Sequence, residues 1–398
     1  MAVTIQDPIS IPVRALLAGA RRKQSQLLEL TQRLVLAESP SDNKAAVDAC
    51  MDLAAAHAKS LDGRIKRHRQ RQFGDVLELR FGLRFGPRKS AAANRILVLG
   101  HLDTVWPLGT LKTMPCRIKP DSEGNSRLWG PGTLDMKAGV AMAFTAIEML
   151  QEASQLNTEI ILLLNSEEEI GSPVSRPITE KLAQESSAVY VLEPAQGLAY
   201  KTSRKGTGNW RLNVQGLAAH AGVDFTCGRS AILELAHQIE KVSAWTDLKR
   251  GTTVNVGVIG GGTKTNVVPA EAWAEVDVRV AKRADGPRME KRFAALKPTP
   301  KSGVCLTVEG GINRPPMERT RGTVKIFRRA QTLAAEIDWQ LTEAGTGGAS
   351  DGNFTSALGI ATLDGMGAVG EGAHATHESI LIEHLAPRTA LLAAMLAG

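Results

Sequence analysis

The chain has 398 residues, which is too long for one small core and fits two or three domains of roughly 150 residues each. Hydrophobic residues make up 43% and charged residues 22% of the sequence, which is ordinary globular usage and excludes wholesale disorder. The net charge of +7 is the balance of 48 basic and 41 acidic residues, and an aromatic content of only 4% argues against a nucleic-acid platform.

The N-terminus predicts a cytoplasmic protein, because Asp7 and Pro8 stand where a signal peptide would have an apolar run. No stretch approaches the roughly 20 consecutive apolar residues of a membrane-spanning helix, so no membrane partner is expected. The four cysteines are far apart and form no CxxC pair, which argues against a disulfide framework and a Cys-type zinc site. We expect reduced, buried thiols at all of them: Cys50, Cys116, Cys227 and Cys305.

Apolar residues recur at intervals of three and four between residues 23 and 60, which predicts helix interrupted at Pro40. The basic segment 64–71 follows and is the strongest argument for a nucleic-acid site. Because it lies next to the strand-like segment 76–80, we interpret it as a solvated strand edge or loop, with no nucleic-acid partner. Nucleic-acid binding through this segment would require a steep salt dependence.

Three short, continuously apolar runs come next, at 96–99, 160–164 and 188–192, and each leads directly into polar residues. Strands buried on both faces have this pattern, and helical patterns at 137–150 and 177–184 separate the runs. The sequence therefore predicts an α/β domain with a mostly parallel central sheet. Ligands of such sheets bind beyond the carboxyl ends of the strands, which is where the polar residues fall.

The pattern changes after residue 206 to alternating, half-solvated strands with a helix at 230–242. This change predicts a separate α+β domain, 207–312, inserted into the first domain, whose two parts are 1–206 and 313–398. The second part closes with a further helical segment near the end of the sequence.

Residues with metal-binding chemistry stand at the predicted strand ends. His101 and Asp103 follow the first run and point the same way on an extended chain, so the carboxylate can orient the imidazole. A loop rich in Gly and Pro delivers Asp135 to a helix start, and Glu193 follows the third run. Near the C-terminus, a Gly-rich segment supplies the imidazole of His374.

Three adjacent carboxylates, Glu167, Glu168 and Glu169, follow the second run, and such a cluster is costly unless a cation or shared protons offset the repulsion. Histidine and carboxylates without thiolates are the ligands of a hydrolytic Zn²⁺, Mn²⁺ or Co²⁺ site. Two imidazoles and three acids are too many for one open zinc site and suit two ions that share one carboxylate. Neighbouring acids on an extended segment face opposite sides, so Glu169 can bind metal while Glu168 takes a proton from water.

Five motifs in this order resemble the zinc-dependent aminoacylase and carboxypeptidase family: HLDTVWP, GPGTLDMKAG, NSEEEIGS, LEPA and GAHATHE. The family includes glutamate carboxypeptidase, succinyl-diaminopimelate desuccinylase and acetylornithine deacetylase, and the likeness extends over essentially the whole chain. The resemblance implies a zinc-peptidase catalytic domain with 207–312 as a lid and dimerisation domain, and a homodimer formed through that domain.

For the site, the resemblance implies two Zn²⁺ ions, with Co²⁺ or Mn²⁺ as alternatives, and a defined set of protein ligands. His101 and Glu193 would bind different ions, and Asp135 would bridge the two. Glu169 and His374 would complete the ligand set.

The resemblance also implies that Glu168 is the general base and that Asp103 is the partner of the first histidine. His377 is an alternative to His374 as the last ligand, and the family's spacing to Glu378 favours His374.

Further positions match residues that contact substrate in the family. His220, in a histidine motif of the inserted domain, would reach into the site of the partner subunit and stabilise the oxyanion. Asn266 and Arg279 match positions that hold a substrate carboxylate. The glutamate carboxypeptidase branch also has positions that recognise an acidic C-terminal residue, and the matching residues here are Lys201, Arg314, Gly348 and Ser350.

These implications favour hydrolysis of an amide next to a free carboxylate, for instance release of C-terminal glutamate from a small peptide or amide. An N-acyl-amino-acid deacylase of the acetylornithine deacetylase or succinyl-diaminopimelate desuccinylase type is the alternative, because both reactions leave a free amino acid. A non-catalytic binding protein on the same fold is the alternative of another class, against which the complete ligand set and Glu168 argue.

Overall fold

Residues 11–83 and 95–397 are described by the computed structural model and divide into two units. The first unit holds the described residues up to Ser203, the segment Arg319–Thr346 and the residues from Ser350 onward. The second unit is Arg204–Glu318 together with Gly347–Ala349. It begins three residues before and ends six residues after the segment 207–312 that was expected to form an inserted domain.

The helices include the two that were expected on either side of Pro40. The first of these begins at Val13, ten residues before the predicted start at 23. The side chain of Asn43 accepts a hydrogen bond from the backbone N–H of Ala46 and so caps the second helix. In chain order the helices are α1 (Val13–Leu36), α2 (Lys44–Ser60), α3 (Ala138–Glu152), α4 (Arg176–Gln184), α5 (Ala231–Ser243), α6 (Asp285–Ala294), α7 (Arg321–Ala335), α8 (Gly352–Ala357) and α9 (Leu385–Leu396).

The strands include all three of the continuously apolar runs. In chain order the strands are β1 (Arg64–His68), β2 (Val76–Phe81), β3 (Arg95–His101), β4 (Arg117–Pro120), β5 (Ser126–Trp129), β6 (Glu159–Asn165), β7 (Ala188–Val191), β8 (Tyr200–Arg204), β9 (Gly206–Gln215), β10 (Ala219–His220), β11 (Thr253–Gly261), β12 (Val267–Val268), β13 (Glu271–Val280), β14 (Cys305–Arg314), β15 (Glu343–Thr346), β16 (Thr362–Leu363), β17 (Gly370–Glu371) and β18 (Ser379–Leu381).

The main sheet of the first unit has the strand order β1-β2-β6-β3-β7-β16. Strand β3 is parallel to both β6 and β7, while β1 and β2 add an antiparallel edge. The side chains of Ile96 and Val98 pack into the cluster formed with α1, α3 and α9, whereas Leu97 and Leu99 pack on the opposite face with residues of α4. Burial on both faces explains the unbroken apolar runs and confirms the predicted α/β class.

Several basic side chains of the segment 64–71 face carboxylates of the first unit. It contains β1, which lies at the edge of the main sheet. Arg64 lies 3.1 Å from the carboxylate of Glu159, and Nε2 of His68 lies 2.9 Å from that of Glu78. Arg67 and Arg69 both face the buried Asp75. These ion pairs favour a strand edge over a nucleic-acid site.

The second unit is built on the antiparallel sheet β11-β13-β9-β14. Helix α5 packs on β13, β11 and β9, and α6 packs on β14. At the centre of this core, the ring of Trp210 stacks on that of Phe293 with the ring centroids 4.3 Å apart. The alternating pattern of the sequence thus corresponds to strands with one covered face.

The cysteines are free thiols, as expected, but their burial differs from the prediction. Cys50 is buried and Cys116 is half-buried, whereas Cys227 and Cys305 are exposed. The expectation of burial is wrong for the last two, because one ends a short turn and the other begins β14 at the surface. Over residues 11–83 and 95–397, none of the helices is both long and apolar enough to cross a membrane.

Gly139, in α3, lies against the strand end that leads to Glu193. A Cβ atom at Gly139 would lie 2.3 Å from the backbone oxygen of Leu192. Gly19, in α1, is the matched control, since a Cβ there would meet nothing closer than 3.4 Å. We expect Gly139→Ala to lower the free energy of unfolding by about 1–3 kcal/mol through overpacking, and Gly19→Ala to raise it by up to about 1 kcal/mol. Denaturant unfolding of both variants beside wild type measures this, and stabilisation by both would contradict the close packing.

Candidate active site

The carboxyl ends of three neighbouring strands bring the predicted site residues to one edge of the main sheet. Strand β3 ends at His101, and the loop after β6 carries Glu168 and Glu169. Glu193 follows β7 by two residues. Because β3 lies between β6 and β7 and is parallel to both, these ends meet at the same place.

Asp135 lies between two imidazoles. Its Oδ1 is 3.2 Å from Nε2 of His101, and its Oδ2 is 3.3 Å from Nε2 of His374. The loop that precedes Asp135 turns at Gly132, which has φ of 71° and where a Cβ would lie 2.7 Å from a methyl carbon of Thr104. One carboxylate thus offers an oxygen to each side, which is the geometry that a bridging ligand requires.

Glu193 and Glu169 lie on opposite sides of Asp135. Oε1 of Glu193 is 3.8 Å from Nε2 of His101, and Oε2 of Glu169 is 3.1 Å from Nε2 of His374. His101 and Glu193 therefore lie on the same side of Asp135, which favours a shared ion over the expected placement on different ions. Strand β3 neighbours both β6 and β7, so the sheet brings all three strand ends together, and the side-chain distances distinguish the two sides.

The three adjacent glutamates point in different directions. Glu167 is fully buried, and its carboxylate accepts hydrogen bonds from the backbone N–H groups of Val174 and Ser175, which closes its own loop. Glu168 and Glu169 instead contribute to the cluster of candidate ligands. Two groups of three side chains have their candidate ligand atoms within 4.8 Å of one another. One group is His101, Glu168 and Glu193, and the other is His101, Asp135 and Glu169.

Asp103 connects the first histidine to the glutamate loop. Its Oδ1 is 3.4 Å from Nδ1 of His101 and accepts a hydrogen bond from the backbone N–H of Glu168. Its Oδ2 accepts one from the backbone N–H of Glu169 and another from the hydroxyl of Ser41 at 2.7 Å. Nδ1 of His101 also hydrogen-bonds with the backbone carbonyl oxygen of Asp103 at 2.9 Å, so this one buried residue orients the imidazole and its carboxylate holds the loop of two further acids.

Electrostatics in the cluster favour added positive charge. Burial lowers the pKa of His101, but hydrogen bonds with Asp103 and Asp135 outweigh it, so that the pKa lies well above its ordinary value. Hydrogen bonds with Asp135 and Glu169 raise the pKa of His374 to about 10. Burial acts to raise the pKa of Asp135, yet hydrogen bonds with the two imidazoles hold that pKa well below its usual range. For Glu169, burial is the larger effect and raises the pKa. The carboxylates around the two imidazoles therefore favour positive charge at this place.

His374 reaches the cluster from the turn between β17 and β18. Its backbone has φ of 62°, a left-handed conformation that is uncommon outside glycine and recurs at functional sites. Its neighbour His377 is exposed, and within residues 11–83 and 95–397 no ion pair joins it to the cluster. The geometry thus favours His374 over His377 as the ligand.

The residues of this cluster fit a pair of divalent cations. Oε1 of Glu169 is buried and has no hydrogen-bond partner within the described part of the chain. An orphaned carboxylate oxygen is costly in a protein interior, and a cation would satisfy it. Imidazole nitrogens with carboxylate oxygens and no thiolate are the donors that suit Zn²⁺, Co²⁺ or Mn²⁺ in a hydrolytic site.

The predicted substrate-contacting residues are divided between the two units. In the first unit Lys201 is buried, and the hydroxyl of Ser350 donates a hydrogen bond of 2.6 Å to Asp364. Ser350 is fully buried, and its hydroxyl also accepts a hydrogen bond from the backbone N–H of Gly352 at 3.1 Å.

In the second unit, His220 and Asn266 lie together, because the backbone N–H of Ala221 donates to the carbonyl of Asn266 at 3.0 Å. Arg279 pairs with Asp277 through two hydrogen bonds of 2.9 Å, and Arg314 is buried.

Sequence reasoning missed several residues that support these loops. Arg204 donates to the carbonyl oxygen of Gly348 at 3.2 Å and so holds the Gly-rich loop. Lys137 is buried and donates to the carbonyl oxygens of Leu34 and Ala37, both at 2.9 Å, at the C-terminal end of α1. Burial lowers the pKa of Lys137. The available signal was a lysine directly after the Asp135 motif, at a predicted helix start, where a basic residue opposes the helix dipole.

In the sequence, Glu378 served only to choose between His374 and His377 by spacing. In the structure its side chain is buried, at 1% exposure, and accepts hydrogen bonds from the loop of Asp135. Burial raises its pKa, while hydrogen bonds from Gly132, Asp135, Trp106 and Leu134 act in the opposite direction.

Comparison with known proteins connects this geometry to one family. The pattern of the peptidase family M20/M25/M40 matches residues 97–398. Carboxypeptidase G2 of Pseudomonas sp. is 26% identical over 390 residues, which cover 96% of this chain and 91% of that protein. A succinyl-diaminopimelate desuccinylase of Stenotrophomonas maltophilia is 26% identical over 376 residues, covering 91% and 96%.

Solved structures share the fold. The aminopeptidase PepT of Bacillus cereus has a TM-score of 0.75 and 22% identity, with 94% of this chain and 98% of that chain covered. The YXEP protein of Bacillus subtilis, described as a dinuclear metal binding peptidase from the M20 family, has a TM-score of 0.66 and 14% identity, with 95% and 98% covered.

Replacing His374 and His377 separately tests which imidazole binds metal. His374→Ala removes the partner that faces Asp135 and Glu169, so we expect the purified chain to lose about one of two bound ions. His377→Ala is the matched control and should keep both ions. Metal content after dialysis, measured by elemental analysis, decides between them. Loss of metal in the His377 variant with retention in the His374 variant would overturn the assignment.

Proposed function

Because the chain belongs to the peptidase family M20/M25/M40, we propose that it is a two-metal hydrolase that cleaves an amide bond next to a free carboxylate. The observation that carries the proposal is the position of Asp135, with one oxygen toward His101 and the other toward His374. Two ions sharing one carboxylate is the arrangement of co-catalytic metallohydrolases.

His101 and Glu193 would hold one ion, Glu169 and His374 would hold the other, and Asp135 would contact both. Zn²⁺ is the proposed metal, with Co²⁺ and Mn²⁺ as alternatives, because the donor set suits all three. When bound, such ions lower the pKa of water and polarise an amide carbonyl.

Glu168 would move the proton. Its carboxylate lies close to candidate ligands His101 and Glu193. The backbone N–H of Glu168 donates a hydrogen bond to Asp103, which holds the backbone of Glu168 in place. A carboxylate at this point can accept a proton from the attacking water and pass it to the leaving amine. Asp103 would keep His101 in the orientation that directs Nε2 toward Asp135.

We propose an acidic C-terminal residue, glutamate or a close analogue, as the group released. The likeness to carboxypeptidase G2 supports this choice, and Arg279 and Asn266 of the second unit would bind the substrate carboxylate. The likeness to a desuccinylase supports the alternative, an N-acyl-amino-acid deacylase. Lys201, Arg314 and the loop at Gly348 are the proposed additional determinants of specificity.

We also propose that the second unit forms a homodimer and that His220 acts in the site of the partner subunit, where it would donate a hydrogen bond to the oxyanion. Strand β11 is at the edge of its sheet, and Val258 and Ile259 on it are 48% and 64% exposed. On α5, Ile232 and Leu233 are 45% and 59% exposed. An apolar edge strand of this kind is suited to pairing with a second copy.

We also propose a cytoplasmic location for the protein, with which its free thiols are consistent.

A substrate panel tests the reaction. Metal-loaded protein is assayed on folyl- and benzoyl-glutamate beside acetyl- and succinyl-amino acids, with a chelator control. Fastest turnover of the glutamate amides supports the carboxypeptidase, and fastest turnover of an acyl-ornithine or acyl-diaminopimelate supports the deacylase. Retained activity after complete metal removal would contradict both, and no turnover of any substrate by a metal-bound protein would support a non-catalytic role.

Glu168→Gln should leave metal content near normal and lower kcat by roughly 10²–10⁴-fold, because the amide cannot accept the proton. The exposed Glu240→Gln, on α5, is the matched control and should leave kcat unchanged. An undiminished kcat in the Glu168 variant would remove this residue from the mechanism.

A mixture of two inactive variants tests the partner-subunit role of His220. If each site needs Glu168 of one chain and His220 of the other, subunit exchange between Glu168→Gln and His220→Ala gives mixed dimers with one intact site. We expect recovery of about a quarter of wild-type activity at equal amounts, from random assortment in a two-fold dimer. No recovery, in a mixture shown by mass spectrometry to contain mixed dimers, would place His220 in its own subunit's site or outside the reaction.

A further inference from the structure

Glu378 connects three of the segments that carry candidate metal ligands. Its Oε1 accepts hydrogen bonds from the backbone N–H groups of Leu134 at 2.9 Å and Asp135 at 3.1 Å. Its Oε2 accepts one from the backbone N–H of Gly132 at 2.9 Å and one from the indole N–H of Trp106 at 2.9 Å. One side chain thus binds the loop of Asp135 and the segment after His101, while its own hairpin carries His374.

The backbone of Glu378 adds a further connection. Its carbonyl oxygen accepts a hydrogen bond from the N–H of Gly130 at 3.2 Å, at the start of the same loop. The next residue, Ser379, pairs with Trp129 in the register of β18 and β5. The hairpin of His374 and the loop of Asp135 are therefore joined both by a sheet and by the carboxylate.

The contacts of Glu378 require an ionised carboxylate. Each of its two oxygens accepts two hydrogen bonds, and all four donors are N–H groups that can only donate. A glutamine at this position has one acceptor oxygen, and its NH₂ group would point at two N–H donors. Hydrogen bonds to an ionised acceptor are also stronger than those to a neutral one. The interaction is thus specific to the charge and not to the shape of the side chain.

We propose that Glu378 is a positioning residue of the metal centre, which holds the backbone of residues 132–135 so that Asp135 presents one oxygen to His101 and the other to His374. The inference rests on the proposed two-metal function. Within the described residues, the hydrogen bonds to the Glu378 carboxylate come from one indole and three backbone N–H groups, and Glu378 acts through the three backbone groups that set the direction of the Asp135 side chain. Rotation of that loop would bring Asp135 toward one imidazole at the expense of the other.

Glu378→Gln tests the proposal, and Trp106→Phe is its matched control. The glutamine variant disturbs the backbone contacts, whereas the phenylalanine variant removes one side-chain donor and leaves the three backbone bonds in place. Titration of the metal-free chain with Zn²⁺ against a chromophoric chelator gives the two dissociation constants. We expect Glu378→Gln to weaken binding by about 10–100-fold, as is typical when a group supporting a ligand is lost, and Trp106→Phe to bind as wild type does.

The absorption spectrum of the Co²⁺-loaded chain is the second readout, because it reports ligand geometry and not global stability. A changed visible spectrum in Glu378→Gln, with that of Trp106→Phe unchanged, supports the proposal. Unchanged Zn²⁺ affinity and spectrum in a folded Glu378→Gln chain would overturn it, even if the melting temperature fell, since that pattern indicates a structural role alone.

If the glutamine variant does not fold, as judged by circular dichroism, Glu378→Asp replaces it. Aspartate keeps the charge but withdraws the oxygens by one methylene, so weaker Zn²⁺ binding is again expected, and wild-type binding would overturn the proposal. Wild-type protein that binds fewer than two ions in the same titration contradicts the proposed function instead, so the two failures are distinguishable.

Discussion

Repulsion among carboxylates is the constraint on which the first unit depends. Several acids converge at the carboxyl ends of β3, β6 and β7, in a setting where an unpaired charge is costly. Each supporting acid has its own donors. Asp103 accepts two backbone N–H groups and a hydroxyl, Glu167 accepts three backbone N–H groups and a hydroxyl, and Glu378 accepts four N–H groups. The remaining acids face the imidazoles of His101 and His374.

Much of this arrangement could be predicted from the sequence, for a physical reason. Strands buried on both faces must be continuously apolar, so the runs before His101 and Glu193 were visible as strands, and polar residues directly after them had to lie at a sheet edge. Other elements were not individually predicted. Helix α6 contains Gly286 and Pro287, which disfavour a helix interior but are tolerated here because they stand in its first turn.

The support of the site could not be predicted, because it depends on contacts between distant segments. Gly132 donates a hydrogen bond to Glu378, and Lys137 donates one to Leu34. Both bonds join residues that no local sequence pattern connects. The same limit applies to His101 and Glu193: residue type marks them as candidate ligands, whereas the distance between their side chains depends on how β3 and β7 pack in the sheet.

The order of the ligands along the chain has a consequence for biosynthesis. Four of the proposed ligands, from His101 to Glu193, are made before the second unit, and His374 is made after it. Helix α9, which packs on α1 and α3, is later still. Domains fold as they emerge from the ribosome, so a nascent chain that captures a cation early can offer it only a partial coordination sphere. The proposed coordination sphere is therefore complete only once His374 has been added to the chain.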